Sequence, residues 1–343
     1  MDTRILTAAD AAWDAYLERL PGADIYHTAA YHRAHEANGD GTARAFVAEE
    51  GGDLLLHPLM LRSIPGTDWK DAESVYGYSG PLCAAVGPEA GFRKAAWGAF
   101  ESWCREHGLV AEFVRFNPLN DTSAMSRNVL IQRDRYTVVL DLSGSEADLW
   151  QRYSKTHRNM VRKALRVGLK AGLAMGWGYA IFQDLYRRTM EHNRASAYYL
   201  FGEPYFARLQ SGLGDNLRLF VVRDGARVVA SAIFMLYGDR MHYHLAGSDP
   251  DYAGNGDNNL LLHTAALWGQ GNGYRWLHLG GGRTNAADDS LLRFKASVSR
   301  ERLPFFTGRR VHIPAAYDAL CAEWRSRHPG VDPGDYFLLW RKP

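Results

Sequence analysis

An ordered series of local signals occurs twice along this 343-residue chain, and any fold has to accommodate the repetition. Ala43–Glu50 (ARAFVAEE) alternates up to Gly51-Gly52, and Asp53–Arg62 (DLLLHPLMLR) follows. Two strand-prone runs joined by a glycine pair spell a hairpin. Leu217–Arg223 (LRLFVVR), Asp224-Gly225 and Arg227–Tyr237 (RVVASAIFMLY) spell it again. A helical stretch precedes each hairpin, near Thr28–Ala37 and near Pro204–Gln210. A short aromatic strand with a small-residue end follows each one, Ser74–Gly80 (SVYGYSG) and Arg240–Gly247 (RMHYHLAG). An amphipathic helix and a last strand complete each series: Phe92–His107 with Leu109–Phe116, and Asn258–Gly271 with Tyr274–Leu279. Gly52 and Gly225 are 173 positions apart, and Gly108 and Gly273 are 165 apart, each close to half the chain. Internal duplication of a mixed α/β unit accounts for this order. Two generic α/β domains that share common connections are the plainer alternative.

Tyr136–Leu142 (YTVVLDL) reads as a strand between the halves, which sets expected domains at 1–142 and 143–343. The expected class is α/β (α+β), each half a mixed, mostly antiparallel sheet flanked by helices. A length of 343 residues suits two domains. No run of about 18 apolar residues is present, so no membrane span is expected. The first twenty residues carry acids and lack an apolar stretch of the signal-peptide kind. Cys83, Cys104 and Cys321 are too few and scattered for a disulfide framework or a zinc site. A cytoplasmic protein is expected. With a net charge of +2, a polyanionic partner would have to be met by a local patch.

Such a patch is legible. Ser143 or Ser145 caps a helix that reads on to Val167. Gln151–Lys170 holds Arg152, Lys155, Arg158, Arg162, Lys163, Arg166 and Lys170 and no acid. Tyr153, Met160, Val161, Ala164 and Leu165 supply an apolar stripe at helical spacing. The remaining face is a field suited to phosphates, with Lys155, Arg158, Arg162 and Lys163 as candidate contacts. A merely solvated face is the competing explanation.

The chain has no G-x-S-x-G elbow, no phosphate-binding G-x-x-x-x-G-K-[ST] loop and no H-E-x-x-H metal pair. His242 and His244 are two apart on an expected strand and so face one side. Lining a pocket suits them better than a metal, since no carboxylate or cysteine partner is visible, and no metal site is assigned. Asp251–Gly256 (DYAGNG) has the glycine spacing of a pyrophosphate-binding turn before a helix, but its first residue is a repelling carboxylate. His278–Lys295 (HLGGGRTNAADDSLLRFK) runs from strand end through Gly280, Gly281 and Gly282 to Phe294-Lys295. A fixed ammonium at Lys295 would stabilise a developing oxyanion. Phe294 could stack on a base. Spacing alone fits a surface lysine and a core phenylalanine as well.

At these residues the chain resembles the Fem family of aminoacyl-tRNA-dependent transferases, in particular the shorter FemX-type members. Ser79-Gly80-Pro81 is similar to the family's R-G-P segment, and Lys155–Gly168 (KTHRNMVRKALRVG) to its K-T-R-x-N-I-R-x-A-x-x-x-G helix. Arg194 through Phe206, with Tyr198, resembles a precursor-binding segment, and Phe294-Lys295 resembles the F-K pair. The chain departs where Ala296-Ser297-Val298 replaces Gly-Phe after that pair, and where Leu82-Cys83-Ala84 after Pro81 lacks the family's acid. The resemblance implies two tandem GNAT-like (N-acetyltransferase-like) domains and an enzyme that moves an amino acid from aminoacyl-tRNA onto an amine, forming an amide. The acceptor would be a peptidoglycan precursor or a small-molecule or peptide amine. Lys295 would be catalytic. Arg194, Tyr198, Tyr243, Phe294, Tyr78, His242 and His244 would bind substrate. No cofactor would be held permanently. Aminoacyl-tRNA would be the co-substrate, met at its 3′ end, with peripheral contact to a lipid-linked precursor. An acyl-CoA donor on the same double fold, or a binding protein without catalysis, are the alternatives.

Overall fold

The computed structural model describes residues 1–85, 89–174, 178–286 and 288–342. The chain divides into two compact units, Met1–Asp134 with Pro204–Gly212 and Phe305–Pro343, and Arg135–Glu203 with Leu213–Pro304. The first is built on strands β1 (Asp2–Thr7), β2 (Thr42–Glu50), β3 (Asp53–Ser63), β4 (Lys70–Glu73), β5 (Leu82–Ala84) and β6 (Leu109–Arg115). Helices α1 (Ala12–Leu17), α2 (Ala29–Ala37) and α3 (Glu89–Glu106) accompany them. The second begins on β7 (Leu130–Asp141) and continues through α4 (Glu146–Arg152), α5 (Lys155–Arg166), β8 (Lys170–Leu173) and α6 (Gly178–His192). After α7 (Glu203–Leu213), of which Pro204–Gly212 belong to the first unit, come β9 (Leu217–Asp224), β10 (Arg227–Tyr237), β11 (Arg240–Ser248), α8 (Asp257–Gly271), β12 (Trp276–Gly281) and α9 (Ser290–Val298). Strand β13 (Arg302–Val311) and helix α10 (Pro314–Arg327) return the chain to the first unit.

The two sheets share one plan. In the first unit the order is β1-β2-β3-β4-β6-β13, with β5 also on β3. In the second it is β8-β9-β10-β11-β12-β7. All neighbours run antiparallel except β4 with β6 and β11 with β12, which are parallel. Each unit is therefore a mostly antiparallel mixed sheet flanked by helices, and the duplication is one of topology as well as of sequence order. The hairpins form where the glycines were: Gly51 (φ +58) and Gly52 (φ +96) join β2 to β3 in the left-handed region that a two-residue hairpin turn demands.

Apolar side chains at helical spacing bind each helix to its sheet. In α3, Phe92, Ala96, Trp97, Phe100 and Cys104 all face β2 and β3 residues Phe46, Leu55 and Leu59. In the second unit, Val161 and Ala164 of α5 and Leu260, Leu261 and Ala265 of α8 pack on Val222, Val229 and Phe234. Each large side chain so buried contributes about 1.5–3 kcal/mol. Cys83, Cys104 and Cys321 are buried. The first unit also buries an ion pair: Glu112 Oε1 lies 2.8 Å from Arg310 Nη1, and Glu112 Oε2 lies 3.0 Å from His57 Nε2. The Arg310 guanidinium lies 4.3 Å from the Trp97 ring centre. Burial drives the Glu112 carboxyl up, but Arg310 and His57 outweigh it and hold the group at about 2.

Two segments depart from the sequence expectation. The helix read from Ser143 or Ser145 to Val167 is two helices. Tyr153 and Ser154 are extended, and the Ser154 hydroxyl accepts from the His157 N–H, starting α5 afresh. Ser74–Gly80 is not a strand; Gly77 (φ +115) and Gly80 (φ +93) turn the chain there, and β4 lies just upstream. No described helix is long and apolar enough to cross a membrane.

Candidate functional site

Strands β11 and β12 pair in parallel over only three positions, Arg240 with Trp276, Met241 with Leu277 and His242 with His278. Both strands continue, but each bulges immediately afterwards. Against β10, Tyr243 pairs with Phe234 and Leu245 with Ile233, so His244 is an extra residue. Against β7, His278 pairs with Val139 and Gly280 with Val138, so Leu279 is extra. A bulge bends its strand and raises local twist. Two of them at the last shared pair end the ladder between the strands. His242 and His244 thus do not share a face through simple alternation. His242 is buried with its ring 5.6 Å from that of His278, while His244 occupies the bulge.

Lys295 of α9 reaches this opening. Its side chain is buried, its Nζ donates to the Gly281 carbonyl at 2.8 Å, and it stands 5.9 Å from the centre of the Tyr243 ring. Burial lowers its pKa to about 7; Asp289 opposes this and Arg135 adds to it. Asp289 fixes the approach of α9. Its Oδ1 accepts from the Leu292 N–H at 2.8 Å, and its Oδ2 accepts from the N–H groups of Arg283 and Thr284 at 3.0 Å each. Burial pushes the Asp289 carboxyl up, but these donors prevail and keep it low. Gly282 admits the arrangement, because a Cβ there would stand 2.4 Å from Asp289 Oδ1. Arg135 donates to the Gly282 carbonyl at 3.0 Å. Burial also raises the Tyr243 phenol, with a smaller push from Asp257, so it stays neutral. Phe294 is partly buried against the core of the unit. Lys295, Tyr243 and the glycine strand end are the expected residues that converge here.

Phe294 and the His242–His244 stretch adjoin this site, and Asn193, next to Arg194, accepts from Arg283 at 3.0 Å. Arg194 is exposed at φ +50 just past α6, and Tyr198 is part of a short 3-10 turn, 37% exposed and edge-on to Tyr199 and Phe201. Tyr78 belongs to the first unit, edge-on to Tyr26 and Phe305. On α5, Lys155 is exposed. Arg158 donates to the carbonyls of Trp150, Gln151 and Tyr153 at the end of α4. Arg162 lies 5.2 Å from the Trp150 ring centre, and Lys163 donates to the Gly254 carbonyl at 2.8 Å. Ala287, in the segment between Gly282 and Phe294, is outside the described residues.

Sequence reasoning missed a polar seam beneath α5. His157 Nδ1 lies 2.7 Å from Asn259 Nδ2 and 3.5 Å from Ser297 Oγ, and the Tyr153 hydroxyl lies 3.2 Å from His263 Nδ1. Burial lowers the His157 imidazole to about 3, so it is neutral. The only signal was a histidine inside an otherwise basic helix. Among the described residues no group of three or more His, Cys, Asp or Glu could hold a metal ion.

Residues 151–296, which contain the parted strands and Lys295, match the family model described as an acetyltransferase (GNAT) domain. The structure titled FemX superposes with a TM-score of 0.69 at 13% identity, covering 93% of this chain and 99% of that one. The fold is tandem GNAT-like, and the matched segment is an acyltransferase domain. L-PGS from Bacillus licheniformis aligns at a TM-score of 0.57 and 14% identity over 89% of this chain and 92% of its own. The C-terminal domain of a putative lysylphosphatidylglycerol synthetase from Agrobacterium fabrum aligns at 0.55 and 16%, over 91% and 96%. No curated protein matches the chain in sequence.

Proposed function

We propose that this acyltransferase moves an amino acid from aminoacyl-tRNA onto an amine, with Lys295 as the catalytic group. The observation that carries the reading is the buried Lys295 amine, hydrogen-bonded to Gly281 and facing Tyr243 where β11 and β12 separate. The acceptor's neutral nitrogen attacks the ester carbonyl, and the carbonyl oxygen becomes negative. An ammonium in a desolvated site stabilises that charge far more than it would in water. The new C–N bond forms, the bond to the ribose oxygen breaks, and that oxygen leaves with the proton shed by nitrogen. A lysine titrating near 7 can give its proton to the leaving oxygen and regain it from the nitrogen.

The exposed cations of α5, Lys155 and Arg166 among them, support a donor carrying a phosphate backbone. Neighbours named FemX and lysylphosphatidylglycerol synthetase support an aminoacyl rather than an acetyl cargo. Arg194 would grip a carboxylate or phosphate of the acceptor by a bidentate contact, with Tyr198 and Phe294 as aromatic walls. The acceptor would be a peptide-like or lipid-linked amine. A second reading, an acyl-CoA donor, is favoured by the acetyltransferase description of the matched segment and by Gly254 and Gly256 before α8.

The test incubates the purified full chain with a mixture of charged tRNAs, or with acetyl-CoA, and a panel of amines, and reads amide products by mass spectrometry. Transfer from tRNA that is lost in Lys295→Met, with tRNA still bound, is expected. Full activity in Lys295→Met, or transfer only from acetyl-CoA, would overturn the reading.

A further inference from the structure

Helix α9 has only nine residues, and a helix that short does not hold itself in water, so whatever grips its two ends decides where Lys295 stands. Asp289 grips the start, and α5 grips the end. At the break between α4 and α5 the Ser154 N–H donates to the Ser297 carbonyl at 2.9 Å, one of the final carbonyls of α9 that find no partner within their own helix. Three positions on, His157 approaches the same residue. Ser297 Oγ lies 3.5 Å from His157 Nδ1 and donates to the Phe294 carbonyl at 2.6 Å, so one hydroxyl proton has two acceptors in reach. The Asn259 amide of α8 donates to His157 Nδ1 at 2.7 Å. One imidazole thus joins three helices, and the groups bonded on α9, Phe294 and Ser297, flank Lys295.

Packing alone gives little reason for an imidazole here. His157 is fully buried, and its Nε2 has no hydrogen-bond partner among the described residues. A buried N–H left unpaired costs about 1–3 kcal/mol. The Tyr153 ring centre is 4.6 Å away, and Val161 and Ala164 of the same helix belong to the apolar core, so a phenyl ring would suit the position. Burial, with a smaller push from His263, lowers the imidazole to about 3, and it stays neutral while Lys295 titrates. What the ring supplies is an acceptor at Nδ1, set between α8 and the helix that carries the lysine.

We propose that His157 is a positioning residue for the transfer step, which seats the last turn of α9, and with it Lys295, through Asn259 and Ser297. The inference rests on the reading of Lys295 as the reacting group. It is tested on the full chain in wild type, His157→Phe, His157→Asn and His157→Gln, each first checked for a wild-type melting transition. One readout is the pH dependence of Lys295 carbamylation by cyanate, followed on the Lys295 peptide by mass spectrometry, which needs no donor. The other is kcat and KM for transfer from charged tRNA. Asparagine places its polar end where Nδ1 stood, glutamine places it near Nε2, and the phenyl ring has none. His157→Phe and His157→Gln are expected to move the Lys295 labelling midpoint upward from about 7 by about half a pH unit or more, as water reaches a loosened amine. Their kcat is expected to fall about tenfold with KM for tRNA unchanged, as small misplacements of a reacting group do. His157→Asn is expected to restore both readouts. If His157→Phe does not fold, asparagine against glutamine decides. A wild-type kcat in His157→Phe and His157→Gln overturns the inference, and so does an equal loss in the asparagine and glutamine variants. If wild type transfers nothing from tRNA, labelling decides alone. A midpoint that moves in His157→Phe and returns in His157→Asn then upholds the role of His157 and condemns only the proposed donor, and a midpoint that never moves condemns both.

Discussion

Replacing Lys295 by methionine should stabilise the protein, most at low pH. The amine is buried and its pKa lies at about 7 instead of 10.5. Each unit of that displacement corresponds to about 1.36 kcal/mol, so holding the ammonium in place costs at most about 5 kcal/mol. Methionine fills nearly the same volume without charge, at the loss of one hydrogen bond to Gly281, worth about 1 kcal/mol. A net gain of about 2–4 kcal/mol is expected at pH 6. The sign follows from proton binding. Between about 7 and 10.5 the unfolded chain keeps a proton that the folded chain has released, so wild-type stability climbs with pH across that window. The advantage of Lys295→Met should therefore shrink by about 1.4 kcal/mol per pH unit from 7.5 to 9.5. Urea unfolding at a series of pH values, with m held constant, reads this directly. A difference that stays flat from pH 6 to 9.5 would refute a desolvated lysine here, and with it the electrostatic role assigned to that residue.

Other expectations are checked more simply. Tyr243→Leu removes the ring that faces the cation, a contact worth about 0.5–2 kcal/mol, and should move the limb near pH 7 of the kcat/KM profile to lower pH, whereas Tyr243→Phe should leave it in place. Glu112→Gln strands the buried Arg310 guanidinium and should cost about 3–5 kcal/mol in urea unfolding. With the wild-type carboxylate held at about 2, its stabilising share is complete above 4.5 and disappears only as pH falls through 2, which near-UV circular dichroism during acid titration should follow. Gly256→Ala forces a side chain into the left-handed region against the Met160 carbonyl and should cost more than about 1–2 kcal/mol by thermal melting.

The large-scale plan was legible because it is carried by local chemistry. Gly51-Gly52 between alternating runs can do little but turn, and the spacing of Phe92, Ala96, Trp97, Phe100 and Cys104 makes one helical face. What escaped is what depends on a third body. The break at Tyr153-Ser154 was hidden because Ser154 has the same capping chemistry as Ser145, and only the extended backbone tells the two starts apart. The bulge at His244 leaves no mark in a run that alternates well, since the extra residue is defined by its pairing with β10. The depressed pKa of Lys295 follows from burial, and nothing in Arg293-Phe294-Lys295 distinguishes a buried lysine from an exposed one.

The pairing of β6 with β13 has a consequence for how the protein is made. Val114 bonds across to Gly308 and Glu112 to Arg310, partners nearly two hundred positions later. During synthesis every residue of Arg135–Glu301 emerges before that strand does. Until then the sheet of the first unit has a bare edge along β6, and the Glu112 carboxylate has His57 but no guanidinium. Bare edges template the wrong pairings. A nascent chain stalled short of Arg302 is therefore the form of this protein most in need of a chaperone, and the last strand works as a latch that only a finished chain can close.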